Sequence, residues 1–201
     1  MVDVHALLAA ERAELVALLR GLTDEQWDTP SLCAGWRVRE VAGHLLHDTI
    51  PIRTYAGIVA RERFGVDRVN DTLAAKAAAM PTAAIIDKLV EAPKHFSRRA
   101  PKVILADMIV HQQDIRRPLG LPRTIAADRL RMALDHPDPF AFPKRRTRGL
   151  RFTATDLDWS NGDGPEVRGP GEALALAIVG RPVVLDELEG DGVGILRRRI
   201  A

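Results

Sequence analysis

The sequence predicts a mainly α-helical protein, with a helical bundle over residues 1–140 and a small α/β domain over residues 149–201. Apolar residues recur at helical spacing through most of the first 135 residues. Prolines divide this region into segments, because proline lacks the backbone donor that a helix interior needs. From Leu150 onward the pattern changes to an alternation with a period of two, which is typical of a strand.

The first 80 residues predict three helical segments. Leucines at helical spacing indicate a helix over residues 4–22, and a second helix begins near Val38 and continues to Ile50. Pro51 either kinks that second helix or divides it. The alanine-rich stretch 66–80 is compatible with a third helix.

Two prolines mark where the next helices begin. Pro81 precedes the segment TAAIIDKLVEA, and Pro101 precedes KVILADMIVHQQDIRR, which ends before Pro118. A further helix is predicted over residues 125–134. These segments complete the predicted bundle.

The last 52 residues mix strand and helix signals. The segment LRFTATDLDW predicts a strand, SNGDG predicts a tight turn, and PEVRG is expected to return as the partner strand. A helix over GEALALAIVG follows Pro170 and ends at Gly180. This order of elements predicts the small α/β domain.

Composition narrows the classes of partner. The 29 Lys and Arg residues nearly balance 27 Asp and Glu residues, and aromatic residues make up only 4%, so we expect no nucleic-acid partner. The basic segment KRRTR (144–148) is interpreted as a solvated linker between domains rather than a phosphate-binding surface.

One cysteine, Cys33, fits a reducing compartment. With no apolar run of about 18 residues, we expect a cytoplasmic protein that does not enter a membrane.

The helix that begins at Pro101 carries a polar stripe. From Val103 to Val110 every side chain except Asp107 is apolar, and Asp107, His111 and Asp114 follow at positions i, i+4 and i+7. A carboxylate and an imidazole one turn apart supply two good ligands for zinc or another divalent ion. A solvent-facing stripe is the structural alternative.

A histidine on the second helix favours the metal hypothesis. In VAGHLLHD, His44 borders the apolar face of the predicted helix, so it can join Asp107 and His111 as a third ligand. Three protein ligands leave one coordination position open, which is the pattern of catalytic zinc. His47 is the competing ligand, and a hydrogen-bonded core histidine is the alternative for His44.

Three segments carry a family resemblance. LTDEQWDTPSLCAGWRVREVAGHLL, ADMIVHQQDIRRPLG and DLDWSNGDGPEVRGPGEALALAIVGR resemble the mycothiol-dependent maleylpyruvate isomerase family of the DinB-like metalloenzyme superfamily. The resemblance implies a DinB-like four-helix bundle followed by a small α/β C-terminal domain. It also implies a zinc site whose ligands map onto His44, Asp107 and His111. Characterised members have Glu where this chain has the shorter Asp107.

The resemblance also implies a thiol-using reaction. Mycothiol bound at the metal would add as a thiolate to a small electrophilic substrate, giving cis–trans isomerisation or S-transfer. Arg116, Arg117 and Arg181 are candidates to bind substrate carboxylates; solvated or helix-end arginines are the alternative. A metal-binding or regulatory module without turnover is the second hypothesis for the whole chain. Under either hypothesis we expect a monomer or a homodimer.

Two further side chains, one near the polar stripe and one on it, are interpreted as structural rather than catalytic. A single loop cysteine such as Cys33 is more often a small buried side chain than a nucleophile. Asp114 is interpreted as an ion-pair partner of Arg117, with orientation of a metal-bound histidine as the alternative.

Overall fold

The computed structural model describes residues 3–91 and 94–200 and is mainly helical, as predicted. In the described residues the α-helices are α1 Val4–Arg20, α2 Asp24–Trp27, α3 Val38–His44, α4 Ile52–Arg61, α5 Val66–Ala78, α6 Thr82–Glu91, α7 Pro101–Arg116, α8 Ala127–Asp135, α9 Pro143–Thr147, α10 Gly171–Ile178 and α11 Val193–Ile200. The strands are β1 Arg151–Ala154, β2 Ser160–Asn161 and β3 Glu166–Gly169, and short 3-10 helices cover Leu45–Thr49, Pro139–Ala141 and Pro182–Glu187. Ala92, the last residue predicted for α6, lies outside the described residues.

The chain folds into two compact units. The first unit contains the described residues up to Ile104 together with His111–Pro122, and the second contains Leu105–Val110 and the described residues from Arg123 onward. The single helix α7 therefore contributes residues to both. No helix in the described part of the chain is long and apolar enough to cross a membrane.

In the first unit, α1 and α3 supply much of the core. Asp3 caps α1 by accepting hydrogen bonds from the backbone N–H groups of His5 and Ala6. The α1 side chains that are fully buried include Leu15 and Leu19. Helix α3 lies against α5 so closely that a Cβ at Gly43 would overlap the methyl group of Ala77.

The predicted second helix is shorter than its apolar pattern suggests. The α-helical part ends at His44, a 3-10 helix continues to Thr49, and α4 begins after Pro51. Pro51 thus divides the segment rather than kinking one continuous helix, since it cannot donate a backbone hydrogen bond. The tighter 3-10 winding changes the direction in which His47 points relative to an α-helical continuation.

The second unit contains a three-stranded sheet with the order β2-β1-β3. The PEVRG segment forms a partner strand of β1 as predicted, but it does not return antiparallel to β1 as the tight-turn signal implied. β3 pairs with β1 in parallel, with Phe152 opposite Val167, while the two-residue β2 is the antiparallel neighbour. The first two residues of SNGDG form β2, and residues 162–165 lead the chain from β2 to the far side of β1. Phe152 and Val167 are buried, so this sheet face belongs to the core of the second unit.

Candidate metal centre

Three donor side chains converge where α3 ends. Ligand atoms of His44, His47 and Asp107 all lie within 4.8 Å of one another, and His44 and Asp107 are each 8% exposed. His44 is the last residue of α3, and the 3-10 turn after it brings the ring centroid of His47 to 5.2 Å from that of His44. The Nδ1 atom of His47 lies 2.9 Å from the carbonyl oxygen of His44. When Nδ1 donates to this carbonyl, the Nε2 lone pair remains for a metal.

His111 stands next to this group. It follows Asp107 by one helical turn on α7, and its ring centroid lies 4.8 Å from that of His44. The Nδ1 atom of His111 is 2.8 Å from Oδ2 of Asp114, a fully buried carboxylate. This contact favours the tautomer with a proton on Nδ1 and a lone pair on Nε2. A carboxylate that fixes a ligand ring in this way is the usual outer partner of a metal-bound histidine.

The structure therefore brings together the three predicted ligands and the competing one. Possible ligand atoms of His44, His47 and Asp107 form one cluster, and the ring of His111 lies beside the ring of His44. Whether His111 or His47 completes the ligand set stays a prediction. One possible ligand set uses His111 of α7, and the other uses His47 of the 3-10 helix after α3.

Cys33 makes more specific contacts than its interpretation as a small buried side chain suggested. It is half-buried, and its Sγ donates to Oδ2 of Asp114 at 3.1 Å and lies 3.8 Å from Nδ1 of His111. Cys33, His111 and Asp114 thus form a second group of possible metal donors. The backbone N–H of Leu32 donates to the carbonyl oxygen of Asp114, which fastens this loop to α7.

The same loop needs a glycine two residues after the cysteine. Gly35 has φ +79°, a conformation that side-chain-bearing residues rarely adopt. The turn places Trp36 with its ring centroid 5.4 Å from that of His44, while its Nε1–H donates to Asp71 at 3.0 Å. The contact of Trp36 with His44 follows from the loop conformation rather than from any sequence period.

A buried ionic network supports the 3-10 turn. Asp48 accepts hydrogen bonds from Arg12, from the Ser97 hydroxyl, and from the backbone N–H groups of Phe96 and Ser97. Burial by itself raises the pKa of the Asp48 carboxyl, but these hydrogen bonds and the charge of Arg12 outweigh burial and hold the pKa below its ordinary value. The network ties α1 and the segment before α7 to the turn that carries His47.

A second polar contact fixes the rotation of α7. Gln112 is fully buried and donates through Nε2 to both the backbone carbonyl and the side chain of Glu11 on α1. Because Gln112 and His111 are neighbours on a helix, they point in different directions. Holding Gln112 against α1 therefore determines where His111 points.

The three predicted arginines have different surroundings. Arg116 is half-buried at the end of α7, with Nε 3.4 Å from Oε1 of Gln112, and Arg117 follows as the capping residue. Arg181 belongs to the second unit, where it precedes the 3-10 helix Pro182–Glu187 and its charge acts on Arg146. Their predicted role in substrate binding stays a prediction.

Comparison with known proteins agrees with this architecture. Two solved structures superimpose on the chain with TM-scores of 0.56 and 0.54, each at 11% sequence identity and each over 95% of this chain and 96% of the other. They are crystal structures of the mycothiol-dependent maleylpyruvate isomerase, the first as a histidine-to-alanine mutant. At this identity the similarity establishes the fold. None of the curated proteins compared with the chain matches it.

A family model matches the part of the chain that carries the candidate ligands His44 and His47. The model describes the mycothiol maleylpyruvate isomerase N-terminal domain and matches residues 8–103. This range begins at Leu8 within α1 and ends at Val103, near the start of α7. The predicted resemblance to the mycothiol-dependent maleylpyruvate isomerase family is thus confirmed, with the sequence match extending over residues 8–103.

Proposed function

We propose that this chain is a zinc-dependent enzyme that uses a small thiol to act on an electrophilic substrate, as an isomerase or an S-transferase. The observation that carries the proposal is the donor group formed by His44, His47 and Asp107, with the His111 ring beside it. The family of the N-terminal domain and the names of the two structural neighbours support mycothiol as the thiol.

The residues present fit a divalent ion. Imidazole nitrogen and carboxylate oxygen are ordinary zinc ligands, and a site with three of them keeps a position for a thiol or water. We propose His44, Asp107 and His111 as the ligands, with His47 adjacent as the alternative to His111. When bound, the metal would supply Lewis acidity that lowers the pKa of a coordinated thiol.

The surrounding side chains have distinct proposed tasks. Asp114 holds the Nδ1 proton of His111, so that Nε2 faces the metal position. Trp36 covers one side of the His44 ring and limits the access of water there. Arg116 and Arg117, at the end of α7, are proposed to attract a substrate carboxylate.

Metal analysis of four proteins tests the ligand set. The wild-type protein is expected to hold about one equivalent of zinc, and both His44→Ala and His111→Ala are expected to lose it. His47→Ala keeps its metal if His111 is the third ligand, and loses it if His47 is. Circular dichroism of each variant is the control for folding. Wild-type protein that binds no divalent ion at micromolar concentration contradicts the proposal.

Thermal unfolding with added thiol separates an enzyme from a module without turnover. A ligand that binds only the folded protein raises the melting temperature. Mycothiol is expected to do so for the zinc-loaded protein and to have no effect after chelation. The alternative, a metal-binding module, is favoured by the shorter Asp107 where the family resemblance implies Glu. An absence of any thiol effect on the metal-loaded protein would support that alternative.

A further inference from the structure

A cavity of about 730 Å³ in the second unit is surrounded by positive charge. It is lined by Lys144, Arg145, Thr147, Arg148 and Arg199. Four of these five residues are cationic and none is acidic. This concentration is separate from the candidate metal centre, because the two sets of residues have no member in common.

The segment that lines the cavity is a structured part of the second unit. The segment KRRTR is mostly exposed, as expected, but it is not a linker between domains, since residues 143–147 form helix α9 and lie within the second unit. Arg145 stacks over the ring of Phe142, with its guanidinium carbon 4.5 Å from the ring centroid. This contact favours one orientation of the Arg145 side chain.

Helix α11 supplies the opposite wall. Nη1 of Arg199 donates to the carbonyl oxygens of Arg146 and Arg148, both at 2.7 Å. These two hydrogen bonds fasten the end of α11 to the end of α9. The cationic side chains therefore converge from two helices that are fixed to each other.

Arg146, on the same short helix as Lys144 and Arg145, adds a further positive charge. Arg146 donates through Nη1 to the carbonyl oxygen of Ala141. Burial is the largest cause of the lowered pKa of Arg146, and the neighbouring charges of Arg181 and Arg145 lower the pKa further. A bound anion would reduce this mutual repulsion among the guanidinium groups.

We propose that this cavity binds a small soluble ligand with several phosphate groups. Guanidinium groups match phosphate oxygens in geometry as well as in charge. The volume falls in the usual range of small-molecule pockets, about 300–1,000 Å³. The four cations line one concave space, which favours a compact ligand over the backbone of a nucleic acid.

Titration calorimetry with inorganic phosphate, pyrophosphate and tripolyphosphate tests the proposal on the full chain. Affinity is expected to rise along this series and to fall as sodium chloride is added. The variant Arg145→Gln/Arg148→Gln is expected to bind tripolyphosphate roughly tenfold more weakly or worse, because two charge-assisted contacts are lost.

A matched variant controls for net charge. Arg151→Gln/Arg198→Gln removes two exposed arginines of the same unit that do not line the cavity, and it is expected to bind like wild type. Equal weakening by both double variants, or no binding of tripolyphosphate by wild type, would overturn the proposal. Tighter binding of duplex DNA than of tripolyphosphate at equal phosphate concentration would also overturn it, in favour of a nucleic-acid surface.

Discussion

One carboxylate oxygen atom of Asp114 accepts hydrogen bonds from two donors. Its Oδ2 accepts from the His111 ring and from the Cys33 thiol, and the carboxylate is completely buried. The thiol contact places the loop beside α7, and the ring contact orients a proposed ligand. One side chain thus couples the position of the loop to the geometry of the donor group.

We expect Asp114→Asn to weaken zinc binding about 10–100-fold, the usual effect of losing the outer partner of a ligand histidine. The amide oxygen still accepts one hydrogen bond, but it lacks the negative charge that raises the basicity of the ring. Competition with a chromophoric chelator measures the change. Asp186→Asn, at a surface carboxylate that pairs only with an exposed arginine among the contacts described, is the control. Equal metal affinity of Asp114→Asn and wild type would exclude the orienting role.

For single residues, the sequence predicted which side chains lie near the candidate site, but not which side chains they contact. The i, i+4, i+7 spacing on α7 indicated Asp107, His111 and Asp114, because helix geometry alone relates them. The contacts of Cys33 and Trp36 depend on a loop with a left-handed glycine, and no periodic pattern encodes such a path. For Asp114, the structure shows the contact with His111 that sequence reasoning had ranked below a pair with Arg117.

Among the elements, α3 and α5 have the closest approach through a glycine. A Cβ at Gly43 would overlap the methyl group of Ala77, whereas a Cβ at Gly57, an exposed position of α4, would meet nothing within 4 Å. Both glycines lie in α-helices, so their intrinsic helix propensities are comparable.

We therefore expect opposite effects from the same substitution. Gly57→Ala should stabilise the protein by up to about 1 kcal/mol through helix propensity. Gly43→Ala should destabilise it by about 1–3 kcal/mol, because overpacking forces α3 away from α5. Urea denaturation measures both free energies of unfolding. Two stabilised variants would show that the helices separate without cost.

The N-terminus of α3 predicts a dependence of stability on pH. Glu40 accepts hydrogen bonds from the backbone N–H and guanidinium of Arg37. Burial raises the pKa of the Glu40 carboxyl, but these contacts outweigh it and lower the pKa below the ordinary 4.5. A carboxyl with a lowered pKa stabilises the folded state above its ordinary pKa, and this contribution is lost as the pH falls through the folded value.

Glu40→Gln should accordingly be less stable than wild type at pH 7, by roughly 1 kcal/mol as for other helix-capping changes. The difference should shrink below about pH 4.5 and vanish once Glu40 is protonated in both states. Urea denaturation at a series of pH values measures it. A difference that stays constant with pH would show that lost packing, rather than the charge, causes the effect.

Element boundaries were predictable where prolines stand and unpredictable elsewhere. Pro101 begins α7 as expected, because proline suits the first helical turn. The change from α to 3-10 winding at Leu45 has no signal in the apolar pattern, which continues through it. The parallel pairing of β1 with β3 was missed because a glycine-rich turn suggests a hairpin, although here the turn leads from β2 to β3 on the other side of β1.

For the whole molecule, the proposed metal should contribute to stability. At a free zinc concentration about 100 times the dissociation constant, binding to the folded state adds about 2.7 kcal/mol. For a chain of this size that corresponds to a rise in melting temperature of roughly 5–10 °C. Scanning calorimetry with zinc and after chelation measures the shift, and His44→Ala should show none. A shift of the same size in His44→Ala would assign the stabilising ion to another site.

The fold class followed from the sequence because it depends on averages over many residues. Helical periodicity over most of the chain and the change to a period of two at Leu150 are each carried by long segments, so single deviations do not alter the result. Structural neighbours with only 11% identity share the architecture over 95% of the chain. The donor group depends instead on a few local bends, which averages cannot capture.

The central position of β1 has a consequence for biosynthesis. Both of its neighbours, β2 and β3, come later in the chain, so a nascent chain that has just emerged through Ala154 exposes two unpaired strand edges. Such edges are sites of aggregation between chains. The exposed charge of Arg151, the first residue of β1, disfavours this association until residues 160–169 have left the ribosome.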